Sequence, residues 1–385
     1  MSKTLVIILC ETRAQELTYD NFKKNVIDEL GADLCLCIGV KPDYEYNNPL
    51  FNLAKYKFLY NEPEDYADAF DEAYHKISKN RSKYEKMENV NTMYGQLGKP
   101  KESTENIKYC GENSDTINID TFDDDEIIIH NENFQEEQWR NQIYSKKKTD
   151  NHFMTQDNSI TYKKPLFWRE FLKIRNQFLG GIKDDHHQHA GSAGILIFFR
   201  WFLLQNLINS GLIHKYDRFI VTRSDFIWQL PHPKLELLDE KYIWIPNGEK
   251  HDCDGYGAYT DRHVILSQTN VESYLNILNN FVLRSNEYYM KMKHKWNWNL
   301  EQLIKFHFIQ NNVLHMVREI PYVMYCVRNI NGTTRWREGT WSEKLGYYIK
   351  YEPEFNASTH FKMEYEKSGL DIDTYYKNNI QNQYI

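Results

Sequence analysis

The sequence is without the features that mark several common protein classes. Lys and Arg (47) are fewer than Asp and Glu (54), so the net charge of −7 predicts no basic face for nucleic acid. The six cysteines form no CxxC pair and no regular framework, which predicts reduced thiols in an intracellular protein. The apolar run after Met1 is too short for a signal-peptide core. We therefore expect a cytoplasmic protein that has no transmembrane segment and no nucleic-acid partner.

Aromatic residues, in contrast, are abundant. They make up 15% of the chain, with 28 Tyr and 9 Trp. Tyr and Trp are suited to stacking on bases and sugar rings, because each has an apolar face and a polar group. Most of them are nevertheless expected to fill the core.

The first forty residues predict a βαβ unit. The run TLVIILC (Thr4–Cys10) indicates a strand covered on both faces. An amphipathic helix is predicted over Thr18–Leu30, with Gly31 as its C-cap, and a second strand over Ala32–Val40. A unit of this length has parallel strands and a right-handed crossover. Arg13 then follows the carboxyl end of the first strand, where open α/β sheets bind their ligands.

We divide the chain into four parts: residues 1–79, 80–164, 165–340 and 341–385. The first adds a strand at Lys57–Tyr60 and a helix from Glu64 to about Lys79, and is expected to bind nucleotide. The second has charge runs and little periodicity, which predicts a partly disordered insertion with one strand at Glu126–His130. The third is expected to carry the metal and acceptor sites. The fourth is a polar extension that the pattern does not place.

Residues 165–340 alternate between helical and extended patterns. Helices are predicted over Leu166–Phe178, Ala193–Ile208, Asn270–Phe281 and Asn299–Asn311, and strands over Phe219–Thr222, Tyr242–Pro246, Val264–Leu266 and Pro321–Arg328. The helix Ala193–Ile208 is too short and too polar to span a bilayer. A histidine cluster, His186, His187 and His189, has neither the spacing nor the cysteine partner of a known zinc site, which favours an exposed loop.

The segment KYDRFIVTRSDFIW (Lys215–Trp228) is the most informative stretch. An apolar strand is followed by Arg223 and Asp225. Burying these two side chains would cost several kcal/mol unless each met a partner. They therefore either face a ligand at the carboxyl end of a strand or form a structural ion pair. If they face a ligand, Arg13 and Asp225 should open into the same crevice, since both follow strands of one parallel sheet.

Four short motifs occur in a suggestive order: LCETR after the first strand, YDRFIVTRSD, a glycine-containing loop that ends in DRH, and a helix that opens with NLEQL. This order resembles the GT-A-type nucleotide-sugar glycosyltransferases of bacterial, algal and giant-virus surface-glycan pathways, which often have an SGQxR loop, an RxRPD strand and a DRF segment. The resemblance covers most of the chain outside Asn80–Lys164 and the tail. It implies an α/β, GT-A-like fold with a mostly parallel Rossmann-type sheet flanked by helices and a long insertion.

The resemblance also implies a reaction. A sugar would pass from a nucleotide-diphosphate sugar to a glycan or glycoprotein acceptor. If the protein is a viral member of this group, the reaction would take place in the cytoplasm of the infected cell. Expelling a diphosphate requires neutralisation of its charge, so Mn²⁺ or Mg²⁺ is expected on Asp225, the only acid of the TRSD motif. Asp225→Asn should then abolish metal-dependent binding and leave the fold intact. The expected donor-binding residues are Glu11, Thr12, Arg13, Arg223 and Asp225, with both arginines as bidentate phosphate partners.

An inverting transferase also needs a general base for the acceptor hydroxyl. Asp261 is the first candidate, with Glu301 and Asp254 behind it. Asp261 follows the loop Asn247–Thr260, whose glycines and tyrosines predict a mobile wall of the donor or acceptor pocket. The alternative to a catalytic role, for each of these acids, is that it is a solvated carboxylate at the surface or the cap of a helix.

Two other classes of protein compete with this hypothesis. A non-catalytic nucleotide- or glycan-binding protein on the same fold would keep the arginines and aromatics without needing Asp225 and a base together. A nucleotidyltransferase or phosphotransferase would need a second close acid or a glycine-rich phosphate loop, and the sequence contains neither. Glycosyl transfer is therefore the leading hypothesis.

Overall fold

The computed structural model describes residues 3–78, 119–122, 126–130, 181–182, 191–247, 259–284, 288, 300–331 and 338–381. These ranges form an α/β structure in which helices cover a mostly parallel nine-stranded sheet, beside a four-stranded antiparallel sheet. The helix predicted at Leu166–Phe178, the histidine cluster at 186–189 and Asp254 lie outside the described residues.

The described strands are β1 (Thr4–Cys10), β2 (Asp33–Val40), β3 (Tyr56–Asn61), β4 (Ile119–Phe122), β5 (Glu126–His130), β6 (Arg218–Thr222), β7 (Phe226–Trp228), β8 (Ile243–Pro246), β9 (Val264–Ser267), β10 (Val317–Ile320), β11 (Met324–Arg328), β12 (Thr340–Ser342) and β13 (Tyr347–Ile349). The described helices are α1 (Gln15–Phe22, continued by a π-helix over Lys23–Asp28), α2 (Pro49–Leu53), α3 (66–78), α4 (Ala193–Asn209), α5 (Leu212–Lys215), α6 (Val271–Leu275), α7 (Ile277–Leu283), α8 (Leu300–Gln310), α9 (Glu352–Ser368) and α10 (Ile372–Gln381).

The large sheet has the strand order β10-β8-β9-β6-β1-β2-β3-β5-β4. Its strands run in one direction except β9 and β4, which are antiparallel to their neighbours. From β1 the chain builds the sheet outward through β2 and β3, and it later returns to place β6 on the other side of β1. The order therefore reverses between β1 and β6, which makes this position the topological switch point of the sheet.

The side chains of β1 alternate between two buried layers. Leu5, Ile7 and Leu9 pack on one face, in a core that includes α4, α6, α7 and α8. Val6 and Ile8 pack on the other face, with α1 and α10. Because both faces are covered, the strand is apolar along almost its whole length. α4 is buried on nearly all sides, Arg200 and Asn206 included, which explains its mainly apolar sequence.

Several sequence predictions can be compared directly with the structure. β1 has the predicted bounds, and Gly31 has the left-handed backbone (φ 56°) expected of a C-cap. The strand at Glu126–His130 is also confirmed; it pairs with β3, so this piece of the predicted insertion extends the main sheet. The helix predicted over Asn270–Phe281 is interrupted at Asn276 and is two helices. The polar tail, which the sequence did not place, forms part of β12 and all of β13, α9 and α10.

None of the helices in the described ranges is long and apolar enough to cross a membrane. The four described cysteines, Cys10, Cys35, Cys37 and Cys326, are free thiols. Burial raises the pKa of all four, so they remain protonated at neutral pH and are poor nucleophiles.

Candidate functional site

The switch point is lined by the two loops that follow β1 and β6. The loop after β1 starts and ends with unusual backbone conformations: Cys10 has φ 79° and Ala14 has φ 49°. Residues other than glycine rarely adopt this left-handed region, because the Cβ atom meets the backbone. Such strain persists only where the surrounding structure holds it, and it is concentrated at functional sites.

Ser224 holds the two loops together. Its hydroxyl accepts a hydrogen bond from the backbone N–H of Arg13 at 2.7 Å and donates to the carbonyl of Arg13 at 3.1 Å. The carbonyl of Ser224 accepts from the hydroxyl of Thr18, in α1, at 2.6 Å. These contacts fix the backbone of Arg13 next to Arg223 and Asp225, although the residues are more than two hundred positions apart.

Asp225 is almost completely buried between two arginines. Arg223 forms a bidentate pair with it, Nε to Oδ1 at 2.9 Å and Nη2 to Oδ2 at 2.7 Å. Arg328, at the end of β11, donates from Nη1 to Oδ2. Burial alone would raise the pKa of Asp225, but Arg223 and Arg328 hold it well below its ordinary range. Asp225 is therefore ionised at neutral pH and fully engaged by guanidinium groups.

This arrangement bears on the metal ion expected at Asp225. Both carboxylate oxygens accept guanidinium hydrogen bonds, so a cation that bound Asp225 would compete with Arg223 and Arg328. Among the described residues, no three His, Cys, Asp or Glu side chains are grouped so that they could hold a metal ion. The described residues therefore do not fit a Mn²⁺ or Mg²⁺ ion held by carboxylates. Of the two interpretations of Arg223 and Asp225, the geometry supports the ion pair.

Two clefts open at the switch point. The first is narrow and is lined by Leu9, Cys10, Glu11, Arg13, Glu62, Ser192, Ile195, Leu196, Arg223 and Asp225. The second has a volume of about 230 Å³ and is lined by Glu11, Thr12, Arg13, Ala14, Glu16, Arg328, Asn329 and Asn331. Arg13 and Asp225 thus open into the same crevice, as the strand positions indicated.

Glu11 and Arg13 line both clefts and form an ion pair between them, with Arg13 Nε 2.7 Å from Glu11 Oε2. Both side chains are partly exposed, 33% for Glu11 and 19% for Arg13. The pair therefore borders both clefts.

Charged side chains are concentrated at this site. Four of them are cations, which we name the cation cluster: Arg13, Arg223, Arg328 and Lys350. Burial, and after it the charges of Arg328, Arg223 and Arg13, lower the pKa of Lys350 to about 8. Arg13 pairs with Glu11, and Arg223 and Arg328 pair with Asp225. Glu16 and Glu62 also line the clefts and Asp261 acts on Arg223, so positive charge is not in excess among the described residues.

Sequence reasoning missed Arg328 and Lys350. Arg328 ends a strand that was predicted, but no local motif distinguishes it from any other charged residue at a strand end. Lys350 lies in the polar tail. The one feature of the sequence that could have indicated Arg328 and Lys350 is that each stands at the end of an apolar or aromatic strand, as Arg13 and Arg223 do.

Asp261 lies next to this cluster. Burial lowers the pKa of Arg223, but the charge of Asp225 raises it well above its ordinary value. The charge of Asp261 adds a smaller upward shift, so Asp261 lies near Arg223. The carbonyl of Asp261 accepts a hydrogen bond from Arg200 Nη2 at 2.7 Å, and its side chain is 9% exposed. Asp261 itself lines neither cleft, and the same holds for Glu301, in the first turn of α8. The third candidate base, Asp254, is outside the described residues.

Comparison with known proteins gives no family for this chain: no family model matches it, and no curated protein is significantly similar to it. Its capabilities must therefore be argued from the site. That site gathers cationic side chains at the switch point of an α/β sheet and has a carboxylate, Asp261, beside them. Such an arrangement can bind an anion and accept a proton next to it.

Proposed function

We propose that the protein is a glycosyltransferase that binds a nucleotide-diphosphate sugar at the switch point and transfers the sugar to a hydroxyl group of a glycan or glycoprotein. The observation that carries this proposal is the cation cluster, two of whose members, Arg13 and Arg223, line a cleft at the switch point. Open α/β sheets bind their ligands where the strands end at such a point. Guanidinium groups are suited to binding the phosphate oxygens of a diphosphate there.

The reaction would exchange one bond for another at the anomeric carbon of the sugar. The bond to the phosphate oxygen breaks, and its electron pair stays on the diphosphate. The acceptor oxygen forms the new bond to the same carbon, and in an inverting course its proton passes to Asp261. Arg13 and Arg223, which line the first cleft, would donate hydrogen bonds to the phosphate oxygens.

Two finer statements belong to the same proposal. The GT-A-like form of the fold rests on the motif order, and the mostly parallel sheet with its antiparallel strand β9 is compatible with it. Action in the cytoplasm rests on the irregularly spaced, free cysteines of the described residues, which are typical of a reducing compartment.

The proposal is tested by a thermal-unfolding panel of nucleoside diphosphates and their sugar conjugates. A bound member at a hundredfold excess over its dissociation constant should add about 2.7 kcal/mol to the free energy of unfolding. The matching nucleosides, which have no phosphate, serve as controls and should have no effect, because the cation cluster would have nothing to bind. If no nucleotide and no sugar nucleotide stabilises the protein, the proposed function is wrong.

The role of Asp261 can be tested once the panel has identified a donor. Asp261→Asn should lower turnover by about a hundredfold, the loss expected when general-base assistance is removed, while the affinity for the donor stays the same. Glu301→Gln is the matched control: it removes a carboxylate from the first turn of α8, whereas the charge of Asp261 acts on Arg223. Hydrolysis of the donor should also be measured in the same variants without an acceptor. This measurement distinguishes the loss of the general base from the loss of the acceptor site. Near-normal transfer by Asp261→Asn would remove Asp261 from the mechanism.

A further inference from the structure

We propose that two buried histidines, His232 and His263, form a pH-sensitive junction that keeps the loops of the switch point in place at neutral pH and releases them in mild acid. Neither histidine lines a cleft, and neither takes part in the proposed reaction. The inference therefore goes beyond the proposed function, and it is tested without any ligand.

The two histidines and Trp228 form a group of three packed rings. The ring centroids of Trp228 are 5.4 Å from those of His232 and of His263, and the two imidazole centroids are 5.5 Å apart. At most 2% of each residue is exposed. Trp228 ends β7 and His263 directly precedes β9, so the group lies where these two strands meet.

Each imidazole has one nitrogen with a hydrogen-bond partner and one without. Nδ1 of His232 donates to the carbonyl of Pro233 at 2.7 Å, and Nδ1 of His263 lies 3.0 Å from the hydroxyl oxygen of Thr222. Both Nε2 atoms are buried and have no partner among the described residues. In a protonated imidazole both nitrogens are donors. Each Nε2–H would then be buried without an acceptor, which is unfavourable.

No carboxylate compensates a proton on either ring. Arg218 of β6 is the only charged group of the described residues that acts on His232, and His232 is the only one that acts on His263. Tyr376 of α10, the other titratable residue at this junction, is buried, and burial raises the pKa of its hydroxyl, so it stays neutral. Burial, with a smaller contribution from Arg218, lowers the pKa of His232 to about 4. Burial lowers the pKa of His263 well below its ordinary value. Both imidazoles are therefore neutral in the folded protein.

The junction is joined to α1 by neutral groups. The backbone N–H of His232 donates to the carbonyl of Asn25, in the π-helical continuation of α1, at 2.8 Å. The side chain of Asn21 accepts from the backbone N–H of Trp228 at 2.7 Å and donates to its carbonyl at 3.0 Å. Separating the three rings would therefore also separate β7 from α1.

His263 connects the junction to the switch point. Its partner Thr222 ends β6 and directly precedes Arg223, which lines the first cleft. On the other side, His263 follows Asp261 by two positions, and the charge of Asp261 acts on Arg223. A displacement of His263 would thus move both segments that hold Arg223 in its surroundings.

The opening of this junction should depend on pH with a definite sign. In the open form each imidazole is solvated and has an ordinary pKa of about 6.5. As the pH falls below that value, the open form takes up two protons that the closed form does not, so the population of the open form rises by up to about a hundredfold per pH unit. Between about pH 7 and pH 5 the expected rise is about 500-fold. The contribution of the pair to stability is complete above about pH 6.5 and is lost as the pH falls towards about 4.

Hydrogen exchange of the full chain between pH 7 and pH 5 tests the proposal. The backbone amides of Trp228 and His232 report on the junction, and the amides of α8 report on the opposite core. After correction for the intrinsic exchange rate at each pH, the opening constant at the junction should rise about 500-fold while α8 stays protected. An opening constant that does not change with pH, or a junction that opens only together with α8, would overturn the proposal.

The variants His232→Asn and His263→Asn separate titration from packing. Asparagine keeps an amide group near the position of Nδ1 and cannot be protonated. Lost packing raises the opening constant equally at every pH, whereas the number of protons taken up on opening should fall from two to one in each variant.

His307→Gln is the matched control. His307 of α8 is also buried, and burial lowers its pKa to about 4, but both of its ring nitrogens have hydrogen-bond partners. The control should leave the pH dependence of the junction at two protons. Two protons in His232→Asn or in His263→Asn as well would exclude the histidine pair as the cause.

Discussion

Replacing Asp225 by asparagine should destabilise the folded protein by about 3–5 kcal/mol, the cost of removing one partner from a buried ion pair. Asparagine keeps the size of the side chain but has no charge, so Arg223 and Arg328 would remain buried without their counter-ion. The amide NH2 of the asparagine would also replace a carboxylate oxygen, so that a donor would face the guanidinium donors. The loss is measured as a shift in equilibrium urea unfolding at neutral pH.

A matched control is available in the π-helical segment after α1. Asp28 forms an ion pair with Lys23 at 2.7 Å, but its side chain is 54% exposed. Asp28→Asn should therefore cost less than about 1 kcal/mol. If Asp225→Asn proved as mild as this control, Asp225 would not be the anion that holds the two arginines. From the sequence, we expected Asp225→Asn to leave the fold intact. That expectation did not include Arg328, whose buried guanidinium pairs with Asp225, so we now expect a loss of stability.

The second large effect is expected at Glu354, a fully buried carboxylate in the first turn of α9. It accepts from Arg262 at 2.8 Å and from the backbone N–H of Cys326 at 3.0 Å. Glu354→Gln should destabilise the protein by about 3–5 kcal/mol, because the buried guanidinium of Arg262 would lose the carboxylate that lies 2.8 Å from it. Urea unfolding again measures the loss.

Glu364→Gln is the control on the same helix. Glu364 pairs with Lys367 at 2.9 Å, and its side chain is 45% exposed, so the substitution should cost less than about 1 kcal/mol. Equal losses for Glu354→Gln and Glu364→Gln would show that α9 is not anchored through Arg262. Since Arg262 follows Asp261, the Glu354 variant should also disturb the position of the candidate base.

The parts of the fold that could be predicted from sequence are those determined by neighbouring residues. The run Thr4–Cys10 is apolar throughout because both faces of β1 are covered, and it could be delimited to the residue. The co-location of Arg13 and Asp225 followed from a single rule, that parallel strands present their carboxyl ends at one edge. No knowledge of side-chain packing was needed for either prediction.

The parts that could not be predicted depend on distant pairing. Arg328 reaches Asp225 only because β7 pairs with β11, which joins residues 103 positions apart. The position of Lys350, directly after β13, is fixed by the pairing of β11 with β13. Glu354 stands in a polar segment whose other acids are solvated, so its burial leaves no trace in the local pattern. The strands β4 (IDTF) and β10 (VREI) were missed because each has two polar residues among its four, so neither forms an apolar run as β8 and β9 do.

The position of β1 also governs how the molecule can be assembled during synthesis. Lys3 and Asp217, which bond where β1 meets β6, are 214 positions apart. At a translation rate of about 5–20 residues per second, roughly 10–40 s separate the appearance of the two strands. During that interval one edge of β1 has unpaired backbone groups, which can bind the edge of another chain. The nascent protein is thus most prone to aggregate while the switch-point clefts do not yet exist, so no ligand of these clefts can protect it at that stage.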